Sequence, residues 1–171
     1  MTATDWSADI FAAMAARGIA VMATVPDAGL SRLIRMGKDA PETRVITLTT
    51  EEEGIGILAG LWAGGQRGLL AMQSSGVGNC VNALSLPVAM RAPCLMLVTM
   101  RGEWGEGNPW QVPMSRAVEP VLRAMGVLTF RAERAGEVGE IFAAAADIAW
   151  ESRQIAAVLV SQRVIGSKRF Q

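Results

Sequence analysis

Apolar and polar positions along this chain follow two periods, and the period switches at regular intervals. From Asp5 to Ala16, Ile10, Phe11, Met14 and Ala15 fall on one side of a helical wheel, which predicts an amphipathic helix. Ile19 to Val25 (IAVMATV) is an apolar run too short for a helix and reads as a buried strand. Pro26-Asp27-Ala28-Gly29 carries turn chemistry, and Leu30 to Met36 resumes helical spacing through Leu30, Leu33 and Ile34. The β-branched RVITLTT of Arg44 to Thr50 predicts a second strand. Glu51 to Gly65, rich in alanine, glycine and leucine, follows as a helix.

The alternation continues to the last residues. Gly68 to Gln73 predicts a strand, Gly78 to Val88 a helix, and Pro93 to Met100 a strongly apolar strand. The polar stretch from Arg101 to Arg116 is long enough to predict a functional loop. Ala117 to Met125 reads as a helix, Val127 to Phe130 as a short strand, Gly136 to Glu151 as a helix and Ile155 to Val160 as a closing strand. Val164 to Gln171 is expected to be a tail or a contact arm. Strands apolar on both faces, alternating with helices, define a parallel sheet buried under helices on both sides. Right-handed crossovers make it doubly wound. The fold class is therefore α/β, with a mainly parallel six-stranded sheet. Such sheets bind ligands beyond the carboxyl ends of their strands. The candidate positions are Pro26-Asp27-Ala28, Glu51-Glu52-Glu53, Gln73-Ser74-Ser75-Gly76 and Arg101-Gly102-Glu103.

Composition narrows the chemistry. The 171 residues are 51% apolar, which suits one domain with a sizeable core and leaves apolar surface for partners to cover, so an oligomer is expected. The 16 basic and 16 acidic side chains balance, which argues against binding nucleic acid by neutralising phosphates. No apolar run approaches the ~20 residues of a membrane-spanning helix. Met1 to Met14 carries Asp5 and Asp9 without a basic start, so no secretory signal is expected. The two cysteines, Cys80 and Cys94, cannot build a disulfide framework and point to a reducing cytoplasm. Histidine is absent, which excludes a Ser-His-Asp or Cys-His pair and the usual His-containing zinc site within the chain. Proton transfer must fall to carboxylates, a cofactor or a partner chain.

Three glutamates, Glu51 to Glu53, open a helix directly after a strand. Acids there compensate the helix dipole, each contributing ~0.3–1 kcal/mol. One of them can instead point across the sheet edge at a ligand. Gly54, Gly56, Gly60, Gly64 and Gly65 follow, and a mid-helix glycine costs ~1 kcal/mol against alanine. Close approach of another backbone would repay that cost, so this helix is expected to pack on a partner subunit. Gly76-Val77-Gly78 forms a turn, but Val81 stands where a dinucleotide fingerprint needs its last glycine, and there is no Walker A motif. In the loop, Trp104 and Trp110 are costly to expose and are expected to pack on something. Arg101 could grip an anionic substrate group with a fork of hydrogen bonds.

Taken together, TEEEGIGILAGLWAGG (Thr50 to Gly65), MQSSGVGNCVNAL (Met72 to Leu84), the MRG of Met100 to Gly102 and NPWQVPM (Asn108 to Met114) resemble the α subunit of sulfopyruvate decarboxylase. The N-terminal domain of phosphonopyruvate decarboxylase is similar. Both are thiamine-diphosphate-dependent decarboxylases, and the resemblance covers nearly the whole chain. It implies that residues 1–171 form a single pyrimidine-binding (PYR) domain. Thiamine diphosphate would lie between it and a diphosphate-binding (PP) domain on a separate β subunit, where a GDG motif holds the diphosphate and Mg²⁺. This chain has no GDG and is expected to hold no metal itself. A hetero-oligomer follows.

The family's glutamate hydrogen-bonds N1′ of the aminopyrimidine and relays a proton. Aligning the family's glycine nine residues further on with Gly60 selects Glu51, and members shifted by one would select Glu52. Gln73, Ser74 and Ser75 match the strand end facing the pyrimidine, and Asn79 the helix start beyond it. Asp27 and Ala28 match a substrate-facing loop. The α subunits read HRG where this chain has Met100-Arg101-Gly102, so the histidine is lost and Arg101, assisted by Gln111, remains as the anion anchor. The implied reaction is decarboxylation of a 2-oxo acid with a 3-sulfonate or 3-phosphonate group. The alternatives are another thiamine-dependent 2-oxo acid reaction, or a non-catalytic, regulatory PYR-like subunit.

Overall fold

Six strands account for the apolar runs of the sequence, and the computed structural model describes them within residues 5–167. They are β1 (Ile19–Thr24), β2 (Arg44–Thr47), β3 (Arg67–Gln73), β4 (Cys94–Thr99), β5 (Leu128–Ala132) and β6 (Ile155–Val160). They lie in the order β2-β1-β3-β4-β6-β5, and every neighbouring pair is parallel.

Parallel neighbours need crossovers, and helices supply them. One face of the sheet is covered by α1 (Trp6–Ala16), α2 (Ser31–Asp39) and α7 (Val138–Glu151). The other carries α3 (Glu51–Ala63), α4 (Val77–Cys80), α5 (Ser85–Met90) and α6 (Gln111–Ala124). A short turn of helix, α8 (Gln162–Ile165), follows β6. The strand period of two divides the core cleanly. Leu69, Ala71, Leu95, Leu97, Ala156 and Val158 face α1, α2 and α7. Leu70, Met72, Met96, Val98, Ala157 and Leu159 face the opposite layer. Both sides being covered, all six residues of β4 and of β6 are buried, which is why they read as unbroken apolar runs.

Several boundaries differ from the sequence expectation, for identifiable reasons. The helix expected over Gly78 to Val88 is two helices, α4 and α5, separated by a turn at 81–84. Pro87 lacks an N–H and its ring would strike the carbonyl of Ala83 in a continuous helix. The chain instead restarts so that Pro87 lies in the first turn of α5. Likewise α6 begins at Gln111 rather than Ala117, with Pro113 in its first turn, so the loop after β4 spans only 100–110. β2 stops at Thr47, and β5 runs from Leu128 to Ala132. Of the expected tail, Val164 and Ile165 belong to α8, and residues past 167 lie outside the described residues. Among the described residues no helix is long and apolar enough to cross a membrane.

Candidate active site

The chain leaves β1 towards β2 on one side and β3 towards β4 on the other, which opens a crevice between the carboxyl ends of β1 and β3. Glu51, the first residue of α3, lies at this edge and is only 8% exposed, whereas Glu52 and Glu53 are exposed. Its Oε2 accepts a hydrogen bond from Asn79 Nδ2 at 2.7 Å. The rest of the carboxyl group lies against Gly76. A Cβ there would stand 2.6 Å from Glu51 Cγ and overlap Cδ and Oε1. Glu53 serves the plain structural role, its Oε2 accepting from Thr49 N at 3.0 Å. Cys80 is buried close by, and burial, followed by the charges of Glu51 and Glu52, pushes its thiol up to about 12. It stays protonated and is no nucleophile.

A second set of side chains is joined by hydrogen bonds. Ser75 Oγ donates to Gln73 Oε1 at 2.8 Å, and Gln73 Nε2 donates to Asp27 Oδ1 at 2.9 Å. Asp27 Oδ2 accepts from Gly29 N at 2.8 Å and from Thr99 Oγ1 at 3.5 Å. Ala28 follows Asp27 and opens a short 3₁₀ turn, Ala28–Leu30. Ser75 precedes Gly76, so this run abuts the Glu51 wall. Ser74 differs from its neighbours: it is fully buried, and its Oγ accepts from Arg101 N at 3.1 Å. Its hydroxyl fixes the start of the loop after β4.

That loop is held by a buried ionic network. Arg101 is 5% exposed, and its Nε and Nη2 donate to Glu106 Oε2 and Oε1 at 2.8 and 2.9 Å. The fork that the sequence offered to an anion is thus filled by Glu106. The Arg101 guanidinium, aided by donors from Asn108 N, Gln162 and Gly102 N, holds the Glu106 carboxyl down at about 2. Gln162, fully buried, accepts from Glu103 N and Trp104 N at 2.9 Å each and donates to Glu106 at 3.0 Å. Glu103 in turn accepts from Arg131 at 2.7 Å. Gln111, the first residue of α6, has a buried Oε1 with no hydrogen-bond partner among the described residues, and its carbonyl lies against Gly102, whose φ is +80°.

Glu106 and Gln162 were not anticipated from sequence. Gln162 follows β6 by two residues, so the strand-end rule, extended to the last strand, locates it. Met100, where the family histidine would stand, is 1% exposed and joins the core between the sheet and α3 and α6. Trp104 stacks against Arg163, 4.1 Å from guanidinium carbon to ring centroid, but Trp110 is 82% exposed, against the expectation that it packs. The helix glycines divide: Gly54 fits against Leu70 and Leu48, while Gly56 and Gly60 meet nothing within 4 Å. Among the described residues no group of three or more Cys, Asp or Glu is placed to hold a metal ion.

No family model matches the chain. The structure superposes on 2-oxoglutarate:ferredoxin oxidoreductase from Magnetococcus marinus with a TM-score of 0.75 at 12% identity, over 96% of this chain and 29% of that one. The fold is thus a PYR-type α/β fold, the one this part of the 2-oxo acid oxidoreductase adopts. Sequence similarity narrows this. The chain is 35% identical to sulfopyruvate decarboxylase subunit alpha of Methanothermobacter thermautotrophicus, over 91% of this chain and 95% of that one. It is 33% identical to the subunit of that name from Methanocaldococcus jannaschii, over 71% and 73% of the two chains. It is 39% identical to phosphonopyruvate decarboxylase of Streptomyces viridochromogenes, over 72% of this chain but 29% of that longer one. The chain belongs to the sulfopyruvate decarboxylase alpha-subunit family.

Proposed function

We propose that this chain is the PYR subunit of a thiamine-diphosphate-dependent decarboxylase. It acts with a second chain on a 2-oxo acid bearing a 3-sulfonate or 3-phosphonate, releasing carbon dioxide and the matching aldehyde. The observation that carries the reading is Glu51: a buried carboxylate, anchored by Asn79 and seated against Gly76, in a chain that aligns along nearly its full length with named alpha subunits.

The residues fit the group. A helix-opening carboxylate at the crevice, oriented by Asn79 and given room by the missing side chain of Gly76, suits a flat ring with a protonatable nitrogen. Thiamine diphosphate, when bound, supplies the electron sink for the pair left by departing carbon dioxide. Glu51 is assigned the proton at N1′ of its pyrimidine, and the exposed Glu52 is not. Asn79 keeps the Glu51 carboxyl in one orientation, and Gln73 and Ser75 continue the polar wall. Buried Ser74 sets the backbone between that wall and the loop. Asp27 and Ala28 border the substrate side. Arg101, held by Glu106, and Gln111 shape the loop over the site. Arg101 meets a substrate anion only where Glu106 yields the fork. The diphosphate and Mg²⁺ belong to a GDG-bearing PP domain on the partner chain. The intact Glu51–Asn79 pair speaks against a decayed, purely regulatory site.

The test is reconstitution of the chain with its copurifying partner and assay of carbon dioxide release from sulfopyruvate, phosphonopyruvate and pyruvate. Glu51→Gln is expected to leave assembly intact and lower turnover ~10²–10⁴-fold, the usual weight of a positioned proton-transfer group. Normal turnover by that variant would remove the basis of the reading.

A further inference from the structure

A cleft of ≈ 480 Å³ opens beside the carboxyl end of β1, with Asp27, Ala28, Ser31, Arg35 and Lys38 in its walls. Ser31, Arg35 and Lys38 are spaced four and three residues apart on α2, so they share one face of the helix. Five other arginines, on this edge and around it, are already engaged. Arg101 is taken by Glu106, Arg131 by Glu103 and Glu133, Arg32 by Asp5, and Arg134 by Glu137. Arg163 is stacked on Trp104. Among the described residues no carboxylate lies within ion-pair distance of Arg35 or Lys38.

The one acid in the cleft wall is Asp27, and both its oxygens already accept hydrogen bonds, from Gln73 and from Gly29 N. Two cations therefore share one carboxylate whose two oxygens each already accept from the protein. Asp27 also begins the run through Gln73 and Ser75 that ends beside Gly76 and Glu51. The cationic cleft and the Glu51 wall are two ends of one polar edge.

We propose that Arg35 and Lys38 seat the distal anionic group of the substrate, the sulfonate or phosphonate, with Ser31 as a neutral donor beside them. The inference rests on the function proposed above, which supplies the substrate class, and moves anion recognition from Arg101 to α2. A tetrahedral oxyanion offers three oxygens. An arginine fork can engage two of them, and the lysine adds a compact charge to the third. Both side chains are exposed, so their attraction acts through a screened field and falls as salt rises. An acid ending in a methyl group gains nothing from this cleft, so the cleft selects for the charged tail.

The experiment uses the full chain in its assembled complex. Titration calorimetry with the unreactive pair 3-sulfopropanoate and butanoate is run alongside steady-state decarboxylation of sulfopyruvate and pyruvate, for wild type and for Arg35→Gln/Lys38→Gln. The double variant is expected to lose about tenfold in affinity for 3-sulfopropanoate, to lose its salt dependence, and to bind butanoate as wild type does. In catalysis the loss should fall on KM for sulfopyruvate. Unchanged 3-sulfopropanoate affinity in the variant, with wild type decarboxylating sulfopyruvate, overturns the cleft assignment alone. Selective loss of 3-sulfopropanoate binding, with wild type decarboxylating neither these acids nor phosphonopyruvate, supports the anion seat and overturns the proposed reaction.

Discussion

The carboxyl group of Glu51 rests on the α-carbon of Gly76, so closely that no side chain fits between them. Gly76 has φ −67° and ψ −22°, ordinary helical backbone that alanine adopts without strain. The glycine is thus required by its neighbour and not by its own conformation. Gly76→Ala is expected to fold, to push the Glu51 side chain off its bond with Asn79, and to lower turnover of the assembled enzyme ~10²-fold, the cost of a misplacement near 1 Å. Turnover measured beside a melting curve separates this from unfolding. A variant with normal turnover would detach Glu51 from the chemistry.

Glu106 links the loop after β4 to acid stability. Its side chain is 2% exposed, and folding lowers its carboxyl from 4.5 to about 2, chiefly through Arg101. A depressed acid stabilises the fold above its unfolded value, and that contribution is lost as pH falls from 4.5 towards about 2. At neutral pH it amounts to roughly 3 kcal/mol. Denaturant unfolding of the wild type should show a slope across this window that Glu106→Gln lacks, by about one proton. The variant should also be less stable at pH 7 by ~3–5 kcal/mol, because Arg101 would be buried without its partner.

Most of the sheet was legible because strands buried on both faces leave unbroken apolar runs, as β4 and β6 do. The trio Glu51 to Glu53 was legible for a local reason, since it opens the first helix after a strand, but only the resemblance to the decarboxylases singled out Glu51 with Glu52 beside it. The two helices whose starts were misplaced both involve proline. Pro87 and Pro113 each occupy a first helical turn, where the missing N–H costs nothing, and a linear reading cannot tell that position from a loop. The network joining Arg101, Glu106 and Gln162 was invisible for a different reason. It pairs residues 56 positions apart, brought together because β4 and β6 are neighbours in the sheet. Nothing in the local sequence marks Arg101 as already engaged.

Gln162 makes a further claim testable without an assay. Its Oε1 is the shared acceptor for Glu103 N and Trp104 N, and its Nε2 donates to Glu106. Gln162→Leu fills similar space but leaves those amides without an acceptor, at a cost of ~2–4 kcal/mol. Hydrogen exchange at Glu103 and Trp104 should accelerate far more than at Leu95 to Leu97 in the strand behind them. Uniform acceleration would mean that Gln162 supports the fold generally and not this loop.

The glycines of α3 separate internal packing from assembly. A Cβ on Gly54 would overlap Leu70 Cδ1 and stand 3.1 Å from Leu48 Cδ1, so Gly54→Ala should destabilise the chain by ~1–3 kcal/mol despite its gain in helix propensity. Gly56 and Gly60 are exposed with nothing within 4 Å, so alanine there meets no obstacle among the described residues. Each change should stabilise the isolated chain by ~0.5–1 kcal/mol, or ~2–4 °C in melting temperature per kcal/mol. Two exposed mid-helix glycines give the isolated chain nothing in return for that lost stability. If the outer face of α3 is where another subunit's backbone approaches, Gly56→Ala and Gly60→Ala will raise the melting temperature of the separate chain and weaken its complex. Sedimentation of the variants with their partner decides the matter. Unimpaired assembly would show that the contact lies elsewhere on the surface.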